Sequence, residues 1–329
     1  MRPPSLIPPA PRIDAAPRYR PIARGLPGYL LGFLTALTPG FLSGQVPRVD
    51  HVVILGCDGL SPDGILKADT PTLDRLCKEG ASTMHARAVM PTDSSPNWAS
   101  MIMGAGPEQH GVTSNKWQPD KYDIPPTVTG PGGIFPTIFS VLRAARPSAG
   151  IAVFHDWDDF GRLVEPQATD VKEDCDGPVK TVERAIAYLK AKRPVFTFIH
   201  LDHVDHAGHD FGHGSAEYYR SVEEADRLIA HVLAGLKDAG MLERTIVLVT
   251  SDHGGVGKTH GGATMAELEI PWIIWGRGVA RGKELRAPIN TFDTAATVAH
   301  IFGLTAPAAW IAKPVLEAFE PANSAVAPH

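Results

Sequence analysis

Three apolar stretches of the sequence each run into aspartate and histidine residues. They are the stretches before Asp58, before Asp205 and His209, and before Asp252 and His253. Because parallel α/β sheets bind ligands at the carboxyl ends of their strands, we expect these side chains to meet at one edge of a sheet. Aspartate oxygens and histidine nitrogens are ligands that zinc accepts in catalytic sites. The convergence predicts a metal site, although each stretch alone could simply end in a helix-capping aspartate.

A further segment, residues 90–104, carries a candidate nucleophile. Ser94 and Ser95 stand directly before Pro96, which is typical of a helix start with a serine cap and a proline in the first turn. A helix N-terminus favours negative charge, so a phosphate could be held beside these serines. Asn97 lies near the same turn and could donate a hydrogen bond to that phosphate.

Together these segments resemble the nucleotide pyrophosphatase/phosphodiesterase branch of the alkaline phosphatase superfamily. The motifs of this family are matched in order at residues 91–97, 104–111, 205–212 and 251–254, with an accessory match at 70–76. The resemblance implies an alkaline-phosphatase-like α/β fold. It also implies a hydrolase that cleaves phosphodiester or pyrophosphate bonds in small-molecule substrates.

The resemblance further implies which residues act. One metal site would consist of Asp205, His209 and His260, and the other of Asp58, Asp252, His253 and the Ser94 oxygen. Ser94 would form a phosphoseryl intermediate, and Asn97 would steady a non-bridging oxygen of the phosphoryl group. The two divalent ions are expected to be Zn²⁺, and the same ligands also accept Mn²⁺ or iron.

Three other functions remain as alternatives. A sulfatase shares the fold, but this chain lacks the arginine that follows the sulfatase nucleophile. A phosphomonoesterase would share the metal ligands and add a cation near the transferred group, for which Lys116 and Arg162 are candidates. The diesterase that the resemblance implies would instead offer an apolar surface, for which the candidates are Trp98, Trp117 and Trp157. A metal-binding protein without turnover is the third alternative, and an intact Ser94 argues against it.

The pattern of the elements predicts a mostly parallel sheet with helices on both faces, because apolar runs alternate with helical segments. The predicted strands are residues 51–56, 151–154, 195–201, 245–250 and 270–275. The predicted helices are residues 72–79, 95–103, 137–146, 179–192, 217–239 and 294–302. Residues 119–136 are rich in proline and glycine and are predicted to be a surface loop that could frame the substrate entrance.

Composition separates the N-terminus from the rest of the 329-residue chain. Residues 1–47 contain ten of the 30 prolines, five arginines and one acid, and a short apolar run follows the arginines. This pattern resembles a secretory signal, which predicts export to the periplasm or the medium. A misassigned start would make the segment a disordered extension of a cytoplasmic protein. We therefore divide the chain into residues 1–47, a phosphoesterase domain at 48–320 and a tail at 321–329.

The overall charge, the apolar run and the cysteines bear on binding partners and on disulfide formation. A net charge of −5 argues against a non-specific nucleic-acid surface. The apolar run near the N-terminus is too short for a stable membrane span. Cys57, Cys77 and Cys175 fit either one disulfide with one thiol or three thiols. The sequence leaves the oligomeric state open.

Overall fold

The computed structural model describes residues 49–321. The predicted signal-like segment 1–47 lies outside the described residues, as does the predicted tail apart from its first residue. Among the helices of the described part, none is both long and apolar enough to cross a membrane.

Eight strands of the described residues form one sheet. They are β1 (His51–Cys57), β2 (Ala81–Arg87), β3 (Ile151–His155), β4 (Val171–Asp174), β5 (Phe196–Leu201), β6 (Thr245–Thr250), β7 (Glu269–Gly276) and β8 (Lys283–Glu284). Their spatial order is β4-β3-β5-β1-β6-β7-β2-β8. The pairs among β4, β3, β5, β1 and β6 are parallel, whereas β7 is antiparallel to both β6 and β2. The predicted α/β fold with a mostly parallel sheet is confirmed.

Three strands, β2, β4 and β8, were not predicted from the sequence. β2 mixes polar and apolar residues, and β4 consists largely of charged residues at one end of the sheet. β8 is only two residues long and lies at the other end. These strands lack the continuous apolar run that identifies a buried parallel strand, because each is partly exposed.

The helices flank the sheet on both faces. They are α1 (Pro62–Lys67), α2 (Pro71–Glu79), α3 (Ser94–Met103), α4 (Pro107–His110), α5 (Ile138–Ala145), α6 (Asp158–Gly161), α7 (Pro178–Lys192), α8 (His203–Phe211), α9 (Ala216–Asp238), α10 (Met265–Leu268) and α11 (Asp293–Ile301). All six predicted helices are present, with ends shifted by at most one residue. The predicted loop at residues 119–136 contains one short 3₁₀ turn, Pro131–Gly133.

Alternating side chains of β1 pack into two separate cores. Val52 and Ile54 belong to the core beneath α3, α5 and α11, whereas Val53 and Leu55 belong to the core beneath α7 and α9. This alternation follows from the two-residue repeat of a strand. Since both faces are covered, β1 is apolar throughout and lies in the middle of the sheet, where its end can reach the site.

The three cysteines are free thiols. Of the two alternatives left by the sequence, the structure therefore favours three thiols over one disulfide and one thiol. Burial is the main cause that raises the pKa of the Cys57 thiol to about 12, which makes it unreactive at neutral pH.

A buried aspartate of α9 caps the neighbouring helix α2. The carboxylate of Asp226 accepts hydrogen bonds from the backbone N–H groups of Thr72, at 3.1 Å, and Leu73, at 2.7 Å. The local cap residue, Thr70, makes no side-chain cap bond. The free N–H groups of the first turn are therefore satisfied by a residue far away in the sequence.

Removing this cap should destabilise the protein. We expect Asp226→Ala to lower the free energy of unfolding by about 2–4 kcal/mol, since it leaves two buried donors without an acceptor. Urea denaturation measures the change. Asp226→Asn, which keeps one acceptor oxygen, should lose less, and Arg227→Ala at the next, exposed position should change little. Equal stability of Asp226→Ala and the unmutated protein would contradict the capping role.

Candidate active site

The carboxyl ends of three adjacent parallel strands bring the predicted ligands together. β5, β1 and β6 lie side by side in the sheet, and Asp205, Asp58 and Asp252 follow their ends. Gly59 adopts a φ of +66°, and a Cβ at this position would lie 2.7 Å from Asp205 Oδ1. The glycine after Asp58 is thus required both by its backbone conformation and by the close approach of Asp205.

Buried oxygen atoms that could bind a metal surround the imidazole of His253. Its Nε2 atom lies 3.1 Å from Ser94 Oγ, 3.2 Å from Asp252 Oδ2 and 3.3 Å from Asp58 Oδ1. All four residues are buried. The structure therefore brings together all four predicted ligands of one metal site: Asp58, Asp252, His253 and the nucleophile candidate Ser94.

A second set lies next to the first and closer to solvent. Asp205 Oδ2 lies 3.1 Å from His209 Nε2 and 3.7 Å from His260 Nε2. The His209 side chain is 44% exposed, whereas His260 and Asp205 are nearly covered. The rings of His253 and His260 stack with their centroids 3.8 Å apart, so the two sets share a boundary.

Each of the three histidines is oriented by a backbone carbonyl. Their Nδ1 atoms contact such oxygens at 2.8–3.0 Å; the pairs are His253 with Gly254, His209 with Lys258, and His260 with Thr92. A carbonyl can only accept, so each Nδ1 carries a proton, and in the neutral imidazole the Nε2 atom presents a lone pair to the site. The facing Nε2 atoms of His209 and His260 are 3.2 Å apart. With both rings neutral, two lone pairs would face each other at this distance, and a cation between them could bind both nitrogens.

Buried carboxylate oxygens without partners point to cations as well. Asp58 Oδ1, Asp205 Oδ1 and Asp252 Oδ2 have no hydrogen-bond partner among residues 49–321. Burial, reinforced by the carboxylates of Asp58 and Asp205, raises the pKa of Asp252 well above its ordinary value. Charged groups are rarely buried without a counter-charge. The donors therefore fit two divalent cations, one in each set.

A comparison with protein-family profiles also identifies the family. A profile described as type I phosphodiesterase / nucleotide pyrophosphatase matches residues 52–260, more than half of the chain. The chain belongs to this family. The resemblance drawn from the short motifs is thereby confirmed.

A curated relative supports the same family. Ectonucleotide pyrophosphatase/phosphodiesterase family member 1 of Mus musculus is 26% identical over 193 residues, which are 56% of this chain and 21% of the relative. The chain thus spans about a fifth of the length of this curated relative.

Two solved structures share the fold at low sequence identity. The murine ectonucleotide pyrophosphatase/phosphodiesterase 5, an inactive form in complex with AMP, has a TM-score of 0.66 and 15% identity, over 78% of this chain and 96% of that one. A variant of the alkaline phosphatase PafA has a TM-score of 0.69 and 13% identity, over 84% of this chain and 100% of that one. The alkaline-phosphatase-like fold of this phosphodiesterase-family chain is confirmed.

The nucleophile segment of this family member begins its helix one residue earlier than predicted. Asp93 occupies the N-cap position, and Ser94 is the first residue of α3. Ser95 is therefore not the cap, and its hydroxyl instead accepts a hydrogen bond from Arg162 Nη2 at 3.2 Å. Ser100 contacts His110 Nε2 at 2.9 Å, so Ser94 is the serine of this helix that faces the ligand sets.

Asn97 does not fit its predicted role. Its Nδ2 group donates to the carbonyls of Val89, Pro91 and Asp93, and its Oδ1 atom accepts from Val89 N at 2.6 Å. Both ends of the carboxamide are used to hold the loop before Ser94. Asn97 is fully buried and holds the loop before Ser94.

Asn115 contacts the first turn of α3 from a separate segment of the chain. Its Oδ1 atom accepts from the N–H of Ser95 at 2.8 Å, which puts the carboxamide at the first turn of α3. Within residues 49–321 no acceptor is bound to its Nδ2 group. Arg162 Nη2 donates to the Asn115 carbonyl at 2.6 Å and fixes the loop, whereas Lys116 is exposed. Only a contact between distant segments distinguishes Asn115, so no local motif marks it.

Two further residues hold the loop of His260, one from the loop before Ser94 and one from α10. Thr92 Oγ1 donates to the carbonyl of Gly262 at 2.7 Å and accepts from the N–H of Gly261 at 3.0 Å. Glu267 accepts from the N–H of Gly262 at 2.8 Å. These bonds place His260 beside Asp205 although it follows His253 by only seven residues in the sequence.

The three candidate tryptophans do not form one apolar surface. Trp98 is completely buried and Trp117 is nearly so, whereas Trp157 is half-buried. Of the three, Trp157 alone has the exposure that contact with a second ester group requires.

The donor geometry predicts about two equivalents of divalent metal per chain after dialysis against zinc, as expected for a two-metal site. Asp205→Asn and Asp252→Asn should each lose about one equivalent, because each removes a charged ligand from a different set. Elemental analysis gives the count. Asp210→Asn, an exposed position on the same helix as Asp205, is the matched control. A single equivalent in the unmutated protein would overturn the two-site arrangement.

Proposed function

We propose that this chain is a two-metal phosphoesterase that cleaves phosphodiester or pyrophosphate bonds with Ser94 as the nucleophile. The observation that carries the proposal is the position of Ser94 Oγ, 3.1 Å from His253 Nε2 and at the first turn of α3. The hydroxyl thereby lies among metal-ligand donors and at a helix end that favours a phosphate.

The residues fit Zn²⁺ best, with Mn²⁺ or iron as alternatives. Asp58, Asp252, His253 and Ser94 would hold one ion, and Asp205, His209 and His260 the other. Bound in this way, the ions would lower the pKa of the serine hydroxyl and of water and would neutralise negative charge on the phosphoryl group.

Hydrolysis would then proceed in two displacements at phosphorus. Ser94 Oγ gives up its proton to solvent and attacks, the ester P–O bond breaks, and the leaving alcohol or phosphate takes up a proton. Water next attacks the phosphoseryl group, the Ser94 O–P bond breaks, and the serine regains a proton. The Nδ2 group of Asn115 would donate to a non-bridging oxygen during both steps.

A phosphomonoesterase is the second candidate, and one observation favours it. The guanidinium of Arg162 pairs with Asp159 and lies within hydrogen-bond distance of Ser95 and Asn115. This puts a positive charge close to the transferred group, where it would favour a dianionic monoester. Comparing a model monoester and a model diester at equal concentration separates the two candidates, and faster turnover of the monoester would overturn the diesterase proposal.

Export of the chain forms part of the proposal. It is supported by the signal-like composition of residues 1–47 and by the name of the mouse relative, which is an ectoenzyme. Fractionation of cells that express the full-length chain tests it, and recovery of the chain in the cytoplasm would contradict it.

The covalent mechanism predicts different effects for neighbouring serines. Ser94→Ala should abolish turnover and the phosphoenzyme while the protein keeps its metal, because the other three ligands remain. Ser95→Ala should retain the phosphoenzyme, since its hydroxyl contacts Arg162 and none of the ligands. Acid quenching followed by mass spectrometry of the intact chain detects the phosphoseryl group. Normal turnover by Ser94→Ala would mean that water attacks the substrate directly.

The two asparagines should separate catalysis from stability. Asn115→Ala should slow turnover roughly 10²–10³-fold, the usual loss of one oxyanion donor, with little change in the melting temperature. Asn97→Ala should chiefly lower stability, because several backbone groups of the loop lose their buried partner. Steady-state kinetics and thermal unfolding of both variants test this assignment. The reverse pattern would restore Asn97 as the donor to substrate.

A further inference from the structure

The two carboxylate oxygens of Asp58 have different surroundings. Oδ2 accepts a hydrogen bond from Trp98 Nε1 at 2.9 Å and lies 3.2 Å from His200 Nε2. Oδ1 has no hydrogen-bond partner in the part of the chain that the structure describes, and it lies 3.3 Å from His253 Nε2. One oxygen is thus occupied by protein donors, and the other points at a metal ligand.

A glycine in β1 makes room for the indole of Trp98. A Cβ at Gly56 would lie 2.6 Å from two atoms of the Trp98 ring. The ring packs edge-on against Phe160 and Phe198 and is fully buried. Its N–H group can therefore reach the end of the same strand, two residues after Gly56, and its orientation is fixed by packing on both sides.

The second donor comes from the neighbouring strand. His200 pairs with Gly56 in the register of β1 and β5, so its ring lies against that of Trp98, with centroids 4.8 Å apart. Its other nitrogen, Nδ1, lies 3.4 Å from Asp156 Oδ1. Asp156 is itself held by the backbone N–H of Asp202 at 2.8 Å. The imidazole is thus bracketed by two carboxylates, and its Nε2–H group is directed at Asp58.

We propose that Trp98 and His200 restrict Asp58 to binding a metal ion through Oδ1 alone. This rests on the proposed function, in which Asp58 is a metal ligand. A carboxylate that binds through one oxygen uses a single coordination position, which leaves another for the Ser94 oxygen or for the substrate.

Asp58, His200 and Asp202 form a third cluster of potential metal ligands. The contacts of Asp58 and His200 account for this cluster without an additional ion. Asp58 Oδ2 already meets two donors, and the carboxylate of Asp202 pairs with His206 Nδ1 at 2.7 Å. We therefore assign His200 as a positioning residue for Asp58 rather than as a metal ligand.

Removing either donor should weaken one of the two metal sites. We expect Trp98→Phe and His200→Leu each to lower zinc affinity at the Ser94 site about 10–100-fold, the usual effect of losing a partner of a metal ligand. The other equivalent should keep its affinity. Competition with a chromophoric chelator measures both equivalents. In Co²⁺-substituted protein, the visible bands of the variants should weaken, because a carboxylate that binds through both oxygens raises the coordination number.

Two matched variants distinguish positioning from general damage to the core. His200→Gln places an amide donor near the position of Nε2 and should recover most of the affinity lost in His200→Leu. Trp272→Phe removes another buried indole, whose N–H group donates to Thr294 at 3.0 Å, and should leave both equivalents unchanged.

The outcomes separate this inference from the proposed function. Unchanged zinc affinity and Co²⁺ spectra in Trp98→Phe and His200→Leu would overturn the inference while the metal-dependent function stands. Equal losses in Trp272→Phe, or no recovery in His200→Gln, would overturn it as well. An unmutated protein that binds no zinc would instead refute the proposed function.

Discussion

The burial of three carboxylates at one edge of the sheet is the constraint on which the rest of the site depends. Asp58, Asp205 and Asp252 stand at the ends of adjacent strands, where the fold leaves them no freedom to separate. Two unit charges about 4 Å apart repel each other by about 4 kcal/mol at the effective dielectric of a protein surface. The sheet would be poorly stabilised with these groups ionised and alone. Their surroundings fit cations, with imidazole Nε2 atoms turned toward them and a glycine that lets two of them approach.

The sequence alone predicts those features of the site that depend on residues close together in the chain. An apolar strand that ends in aspartate, or in the pair Asp252-His253, can be recognised because strand and ligand are contiguous. Asn97 and Asn115 show the limit of this approach. Asn97 stands at an apparently suitable distance from Ser94, but its carboxamide is consumed by backbone groups of its own loop. Asn115 reaches the first turn of α3 through a contact between separate segments, which no local pattern encodes.

The same reasoning explains the errors in the fold. Strands β1, β5 and β6 are buried on both faces, so their sequences are continuously apolar and easily identified. β2, β4 and β8 lie toward the ends of the sheet, where polar residues are tolerated and the strand pattern fades. The helix start at Ser94 was placed one residue too late, because the cap position is held by Asp93 without a side-chain bond of its own. Helix boundaries of this kind depend on contacts such as the one between Ser95 and Asn115.

The antiparallel direction of β7 determines where the chain beside the site can be lengthened. β6 ends at the edge where the ligands gather, and β7 starts from that same edge, so the whole connection between them stays beside the site. His260 can therefore follow His253 closely and still cross to the other ligand set. Since doubling the length of a flexible loop costs only about 0.6 kcal/mol, this connection could be lengthened without altering the register of the sheet. An insertion in this connection would therefore place new residues beside the ligand sets at little cost to folding.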